Sequence, residues 1–316
     1  MSDRKAQFEE YYNCHLLEKF AELECERHKQ LDIFIKRLLL TGAFIPLLIV
    51  LFWIHFWGNY IAGSEEMIKS TVYVLAIYAC FSVMYCSSPI ISFQVDVKAE
   101  VMEKFANFWG DFSYSFCKQI PEETITKSKI FPYFDNKDGD DYFSGIYQGV
   151  KTIISEEELT KTVRTKNGSH NMTVFKGIVI LLEMNKKFAG QTIVLKDAGI
   201  FNFFKKFGRT ERVKLEDVEF ERKFEVYADN QIEARYLLTT AFMERILKVK
   251  QAYQGKKIQF SFFDNKLLIA VETKENMFEV SSLFRSALSH KLIDRSFDQF
   301  ATVTDVIDTL KLQQSV

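Results

Sequence analysis

Two long uncharged segments stand out in the pattern of hydrophobic and polar positions. They cover residues 38–57 and 71–93, and mixed polar and apolar sequence follows them. About 20 helical residues, each rising about 1.5 Å, cross a typical hydrocarbon core. The pattern therefore predicts a hairpin of two transmembrane helices. A cleaved signal peptide is disfavoured, because a charged arm of more than thirty residues precedes the first segment.

The charges beside the two segments predict their orientation. The connection between them carries Glu65 and Glu66 against Lys69, whereas Arg37 precedes the first segment and Lys98 follows the second. Because basic residues concentrate on the cytoplasmic side, we expect both termini in the cytoplasm. No Asp, Glu, Lys or Arg lies within either segment, which argues against a channel.

Apolar residues recur at helical spacing on both sides of the hairpin. They are Phe8, Tyr12, Leu16, Phe20 and Leu23 before it, and Val97, Val101, Phe105, Phe108, Phe112 and Phe116 after it. Each set forms one stripe on a polar helix. We expect the two stripes to pack against each other, with a stripe that binds a partner protein as the alternative. The hairpin itself could form a homo-oligomer.

Cysteine and histidine residues occur close together in the N-terminal arm. If the arm is helical, Cys14 and Cys25 lie roughly 16 Å apart, too far to share one metal ion. The chain has 5 cysteines, an odd number that suits free thiols in a reducing compartment. The sequence predicts neither a metal site nor a cofactor.

The remaining residues predict a soluble domain of the α+β class with an antiparallel sheet. We assign residues 1–120 to the hairpin and its flanking helices, 121–141 to a linker that ends in an acidic turn, and 142–316 to the soluble domain. Expected strands cover 145–154, 172–182, 191–195, 258–263 and 267–271, with turns at Asn167–Gly168 and Asp264–Asn265. Expected helices cover 231–253 and 278–312.

Three motifs stand out in this region: Val174–Gly177, Arg212–Asp217 with Phe220, and Phe224–Asp229 running into Glu233–Thr239. They resemble a bacterial family of integral membrane proteins catalogued as domain of unknown function 3137. The family often has proline after the last threonine, where this chain has Thr240. The resemblance covers most of the chain, including the two spans, and implies a protein of the bacterial inner membrane with a LemA-type membrane protein as partner. It implies no specific activity.

The third motif has two interpretations. Asp229 could cap the helix, with Glu233 in its first turn and Arg235 reaching back to either acid, which is a structural role. Alternatively, Asp229, Glu233 and Arg235 form a polar recognition site at the start of a helix.

An aromatic and basic segment predicts contact with lipid. Its residues are Phe201, Phe203, Phe204, Lys205, Lys206, Phe207 and Arg209. In a domain held beside a membrane, aromatic tips enter the interface and each nearby cation adds roughly 1 kcal/mol of attraction to anionic lipid. Burial of the phenylalanines within a hairpin is the alternative.

Composition and motifs favour a protein without catalytic activity. The 41 Lys and Arg residues nearly balance the 42 Asp and Glu residues, so no global field would gather nucleic acid. His170 and His290 are the histidines of the soluble part, and no nucleophile elbow or phosphate loop accompanies them. We therefore expect a membrane-tethered interaction or scaffold protein. The alternative is an unrecognised membrane-associated enzyme or an accessory subunit of a transport system.

Overall fold

The computed structural model describes residues 2–62, 65–166, 168–196, 210–253, 256–273, 275–278, 283–284, 286, 290–310 and 312. These residues divide into two units. The helical unit takes its residues from 5–101 and 280–290, and the sheet unit takes them from 1–4, 102–279 and 291–316.

The N-terminal helices are long and apolar. Helix α1 is Ser2–Tyr11, a π-helical turn covers Tyr12–Leu16, α2 is Leu17–Ala62 and α3 is Glu65–Phe108. Two helices in the described part of the chain are long and apolar enough to cross a membrane, as the sequence predicts. Their large apolar side chains lie uncovered, with Leu39 68% and Ile77 69% exposed. Such a surface favours a membrane or a protein partner.

Helices α2 and α3 contact each other within the helical unit. Lys19 forms an ion pair with Glu100 at 2.5 Å, and the Tyr78 hydroxyl donates to the carbonyl of Thr41 at 2.7 Å. The first apolar stripe, Phe8, Tyr12, Leu16, Phe20 and Leu23, is buried, and so are Val97 and Val101 of the second.

The prediction that the second stripe continues along one helix is wrong beyond Phe108. Helix α3 ends there, because Gly110 adopts a φ of 127°, and Phe112 lies in strand β1, Asp111–Ser115. The C-terminal helix of the sheet unit covers this part of the stripe. Phe105 and Phe112 pack edge-on against Phe300, with ring centroids 5.7 and 5.5 Å away.

The sheet unit contains an antiparallel sheet of nine strands in the described residues, which confirms the predicted fold class. The order is β1-β2-β3-β4-β9-β8-β5-β7-β6. After β1 the strands are β2 Asn136–Tyr147, β3 Val150–Thr165, β4 Gly168–Glu183, β5 Thr192–Lys196, β6 Glu211–Val213, β7 Phe224–Ala228, β8 Ile258–Phe263 and β9 Lys266–Glu272. Five helices accompany them in the described residues: α4 Glu122–Ser128, α5 Val218–Lys223, α6 Gln231–Leu237, α7 Thr240–Ala252 and α8 His290–Leu310.

The β8–β9 hairpin forms as predicted, with positive φ at Asp264 and Asn265. The strand predicted over 145–154 is wrong, because a tight turn at Gln148–Gly149 divides it between β2 and β3. The acidic turn predicted over 135–141 is also wrong. Asn136–Asp140 pair with Thr160–Glu156, so the pairing with β3 overrides the low β propensity of the run.

The predicted C-terminal helices are shorter than expected. The helix predicted over 231–253 is interrupted at Leu238. The Thr239 hydroxyl accepts a hydrogen bond from Phe242 N–H at 3.3 Å, so Thr239 is the N-cap of the next helix, α7. The helix predicted over 278–312 begins at His290 instead.

Candidate functional site

The predicted recognition residues Asp229, Glu233 and Arg235 lie at the start of α6. Asn230, not Asp229, caps this helix, because its side chain accepts from the N–H groups of Ile232 and Glu233. Glu233 lies in the first turn, as expected. Arg235 reaches neither acid and instead donates to the carbonyls of Gln231 and Lys214.

Both carboxylates bind backbone N–H groups of the segment that precedes β5. Glu233 accepts from Ala189 at 2.8 Å and from Gly190 at 2.7 Å, and Asp229 accepts from Gln191 at 2.7 Å. Charge-assisted hydrogen bonds of this kind are about twice as strong as neutral ones. The two acids thus hold a loop in place, and their role in recognition stays a prediction.

One face of α6 is buried and contains Ala234 and Leu237. The face opposite these two residues is apolar and uncovered, with Ile232 81% and Tyr236 53% exposed. The ammonium of Lys186 lies 4.8 Å from the centroid of the Tyr236 ring. We name Ile232, Tyr236 and Lys186 the α6 face. Sequence reasoning missed it, although apolar residues at i and i+4 on a short helix were its visible signal.

The predicted membrane-contact residues Phe201, Phe203, Phe204, Lys205, Lys206, Phe207 and Arg209 lie outside the described residues. Lipid contact by this segment stays a prediction.

Four carboxylates gather on one face of the sheet. Asp138 lies opposite Glu158 and Asp140 opposite Glu156, around a cavity of about 330 Å³. Like charges directly across a strand pair repel each other. Even so, the described residues contain no group of His, Cys, Asp or Glu side chains placed to hold a metal ion. Lys176 supplies one cation, 3.1 Å from Glu158, and the Met277 N–H donates to Glu156 at 2.9 Å.

A buried ion pair lies on the opposite face of the same two strands, because successive side chains of a strand alternate between the faces. The Lys137 ammonium is 3.0 Å from the carboxylate of Glu157, whose side chain is completely buried. Glu157 also accepts from the N–H of Ile120 at 2.9 Å, and Gln119 accepts from Lys137 at 2.6 Å. Burial raises the pKa of Glu157, although the Ile120 N–H and Lys137 act against that shift. The pair fastens residues 119–120 to the sheet.

Comparison with solved structures gives one distant neighbour, the mycobacterial trehalose monomycolate transport factor A, TtfA. Its crystal structure matches with a TM-score of 0.36 and 10% identity, over 68% of this chain and 96% of that chain. The likeness is too weak to carry an argument about fold or function. Comparison with the curated proteins gives no match.

One family model matches residues 173–312, a range that begins within β4. The matched residues include α6 with its two acids and the α6 face. The match thus includes the Phe224–Asp229 and Glu233–Thr239 motif on which the resemblance rests. Residues 173–312 of this chain match the family described as a protein of unknown function, DUF3137. The match confirms the resemblance noted from the sequence over these residues, but it includes neither apolar span, so the expected coverage of most of the chain stays a prediction.

Proposed function

We propose that this protein is a non-catalytic interaction module tethered to the membrane by α2 and α3. The observation that carries the proposal is that two exposed apolar surfaces occur in the same chain. The chain joins two helices with uncovered apolar side chains to a folded sheet unit whose α6 face is also uncovered. The first surface favours insertion into a bilayer, and the second favours a protein partner.

We further propose a topology and a partner. Both termini lie in the cytoplasm of a bacterial cell, on the basis of the charges that flank the spans. The partner is a second protein of the same membrane, of the LemA type that the family resemblance implies. It binds the α6 face, where Ile232 and Tyr236 would be removed from water.

Topology is tested with reporter fusions at Gly63 and Val316 in cells. Activity of a cytoplasmic reporter at Val316 and of an external reporter at Gly63 is the expected result. The reverse pattern would contradict the proposed topology, and full extraction of the protein by alkaline carbonate would contradict the tether itself.

Partner binding is tested by co-purification of the full-length protein with a co-expressed LemA-type protein. Replacing Ile232 with glutamate places a charge in the proposed contact, so we expect at least a tenfold loss of co-purified partner. Val218→Glu is the matched control, because Val218 is another exposed apolar residue, near the start of α5. Equal losses in both variants, or no loss in either, would contradict binding at the α6 face.

A further inference from the structure

A groove runs between α2 and α3 inside the helical unit. Its lining residues recur at spacings of three and four on both helices, as in the seam of a helical pair. They are Leu38, Thr41, Gly42, Ile45, Leu48, Ile49 and Phe52 on α2, and Leu75, Tyr78, Ala79, Ser82, Val83 and Cys86 on α3. Instead of closing the seam, these side chains leave a cavity of about 550 Å³.

Gly42 shows why the seam stays open. A Cβ added at this position would meet no atom within 4 Å. A glycine that lets two helices approach closely would have the partner helix against it. Gly42 therefore leaves space in the groove rather than making a contact.

A cation lies at one end of the groove. Arg37 immediately precedes the lining residue Leu38, and it donates to the carbonyl of Tyr85 at 2.9 Å. Its guanidinium also lies 4.5 Å from the centroid of the Tyr85 ring. The neighbouring Lys36 forms an ion pair with Asp32, whereas Arg37 has no carboxylate partner within the described residues.

We propose that this groove binds one acyl chain of an anionic phospholipid, whose phosphate contacts Arg37. The proposal rests on the membrane placement given under Proposed function. A helix from a second copy is the poorer occupant, because neither uncharged segment contains an Asp or Glu that could pair with Arg37, whereas the phosphate of a lipid supplies an anion.

The test uses the full-length protein in phosphatidylcholine nanodiscs. These contain a small amount of a phosphatidylglycerol analogue that carries a photoactivatable group in its acyl chain. After illumination, the labelled residues are mapped by mass spectrometry. We expect adducts on groove residues such as Ile45 and Ile49, and about fivefold less labelling by a phosphatidylcholine analogue, because one cation adds roughly that factor near an anionic surface.

Gly42→Leu fills the groove and should reduce these adducts at least fivefold. Ala43→Leu is the matched control, since Ala43 is exposed and does not line the groove. Arg37→Gln should keep the adducts but remove the preference for the anionic analogue. If Gly42→Leu fails to insert, this comparison of head groups decides the proposal.

Three results would overturn the lipid site. They are adducts spread evenly around both helices, equal labelling in Gly42→Leu and Ala43→Leu, and cross-links between two copies through groove residues. The tether is checked separately by recovery of the protein in nanodiscs. Recovery without groove adducts refutes the lipid site alone, and absence of recovery refutes the tether.

Discussion

Glu233 accepts a hydrogen bond from the backbone N–H of Gly190 at 2.7 Å, and a side chain at position 190 would displace the Glu233 carboxylate. A Cβ built on Gly190 would lie 2.5 Å from the Glu233 carboxylate and 2.6 Å from that of Asp229. The two acids of the family-like motif are therefore fitted to a glycine in another part of the chain. This relationship gives the two acids a structural role other than the helix capping that the sequence predicts, and their role in recognition stays a prediction.

Gly190→Ala should destabilise the sheet unit by about 1 kcal/mol, the usual net contribution of an intramolecular hydrogen bond, because these hydrogen bonds are only partly buried or exposed. The new methyl group would push both carboxylates off the N–H groups of residues 189–191. Hydrogen exchange of these amides in the full-length protein measures the effect. In a Glu233→Ala background the same change should cost clearly less, because the stronger clash is gone. Equal costs in both backgrounds would show that the carboxylate does not hold the loop.

Gln148→Asn should stabilise the β2–β3 hairpin by up to about 1 kcal/mol. Gln148 has a φ of 47° and Gly149 a φ of 80°, so both turn residues are left-handed. Asparagine tolerates this conformation better than glutamine does. A rise in the thermal midpoint of the sheet unit is the expected measurement, and Gln148→Val should lower it. A lower midpoint for asparagine would mean that the Gln148 contact with Tyr147, at 3.2 Å, outweighs the backbone preference.

A comparison of two hairpin turns shows where sequence reasoning succeeds and where it fails. Asp264–Asn265 carries the side chains typical of a hairpin turn, and its hairpin forms as predicted. Gln148–Gly149 lacks such a first residue, so its hairpin reads as one continuous strand. The acidic run before it has low β propensity and forms a strand because β3 pairs with it. Local sequence does not contain that partner.

The same difference between local sequence and contacts with distant residues applies to the membrane helices and to the candidate site. Uncharged length alone predicts α2 and α3, because the feature that defines them is local. The groove between them and the contact of Glu233 with residues 189–190 depend on distant residues. The exposure of Ile232 likewise depends on which face of α6 the sheet covers.

Replacing one member of the Lys137–Glu157 pair should destabilise the sheet unit more than replacing both members. Lys137→Met leaves a buried carboxylate and Glu157→Gln leaves a buried ammonium, and each should destabilise the sheet unit by about 3–5 kcal/mol. The double variant buries no charge, and glutamine still accepts from Ile120 N–H, so it should cost less than either single variant. Chemical denaturation of the full-length protein, followed by hydrogen exchange in β2 and β3, measures all three. Additive losses would contradict a coupled pair.

The pH dependence of stability should also depend on Glu157. Burial raises the pKa of this carboxyl above its ordinary value of 4.5, so the folded state holds the proton over a range of pH in which the unfolded chain has lost it. The folded state then binds more protons, and the contribution of Glu157 to stability falls as pH rises from about 4.5 through the raised pKa. Glu157→Gln removes this dependence. Thermal midpoints of both proteins, measured at a series of pH values, should therefore draw closer together or cross as pH rises.

Lys137→Met offers a control on the cause of that shift. The Lys137 ammonium lowers the pKa of Glu157 and so limits the effect of burial. Without it, the pKa should rise further, and the loss of stability should extend to higher pH than in the unmodified protein. If the pH dependence of Lys137→Met matches that of the unmodified protein, the ammonium does not act on this carboxylate. If Glu157→Gln retains the dependence, another group is responsible.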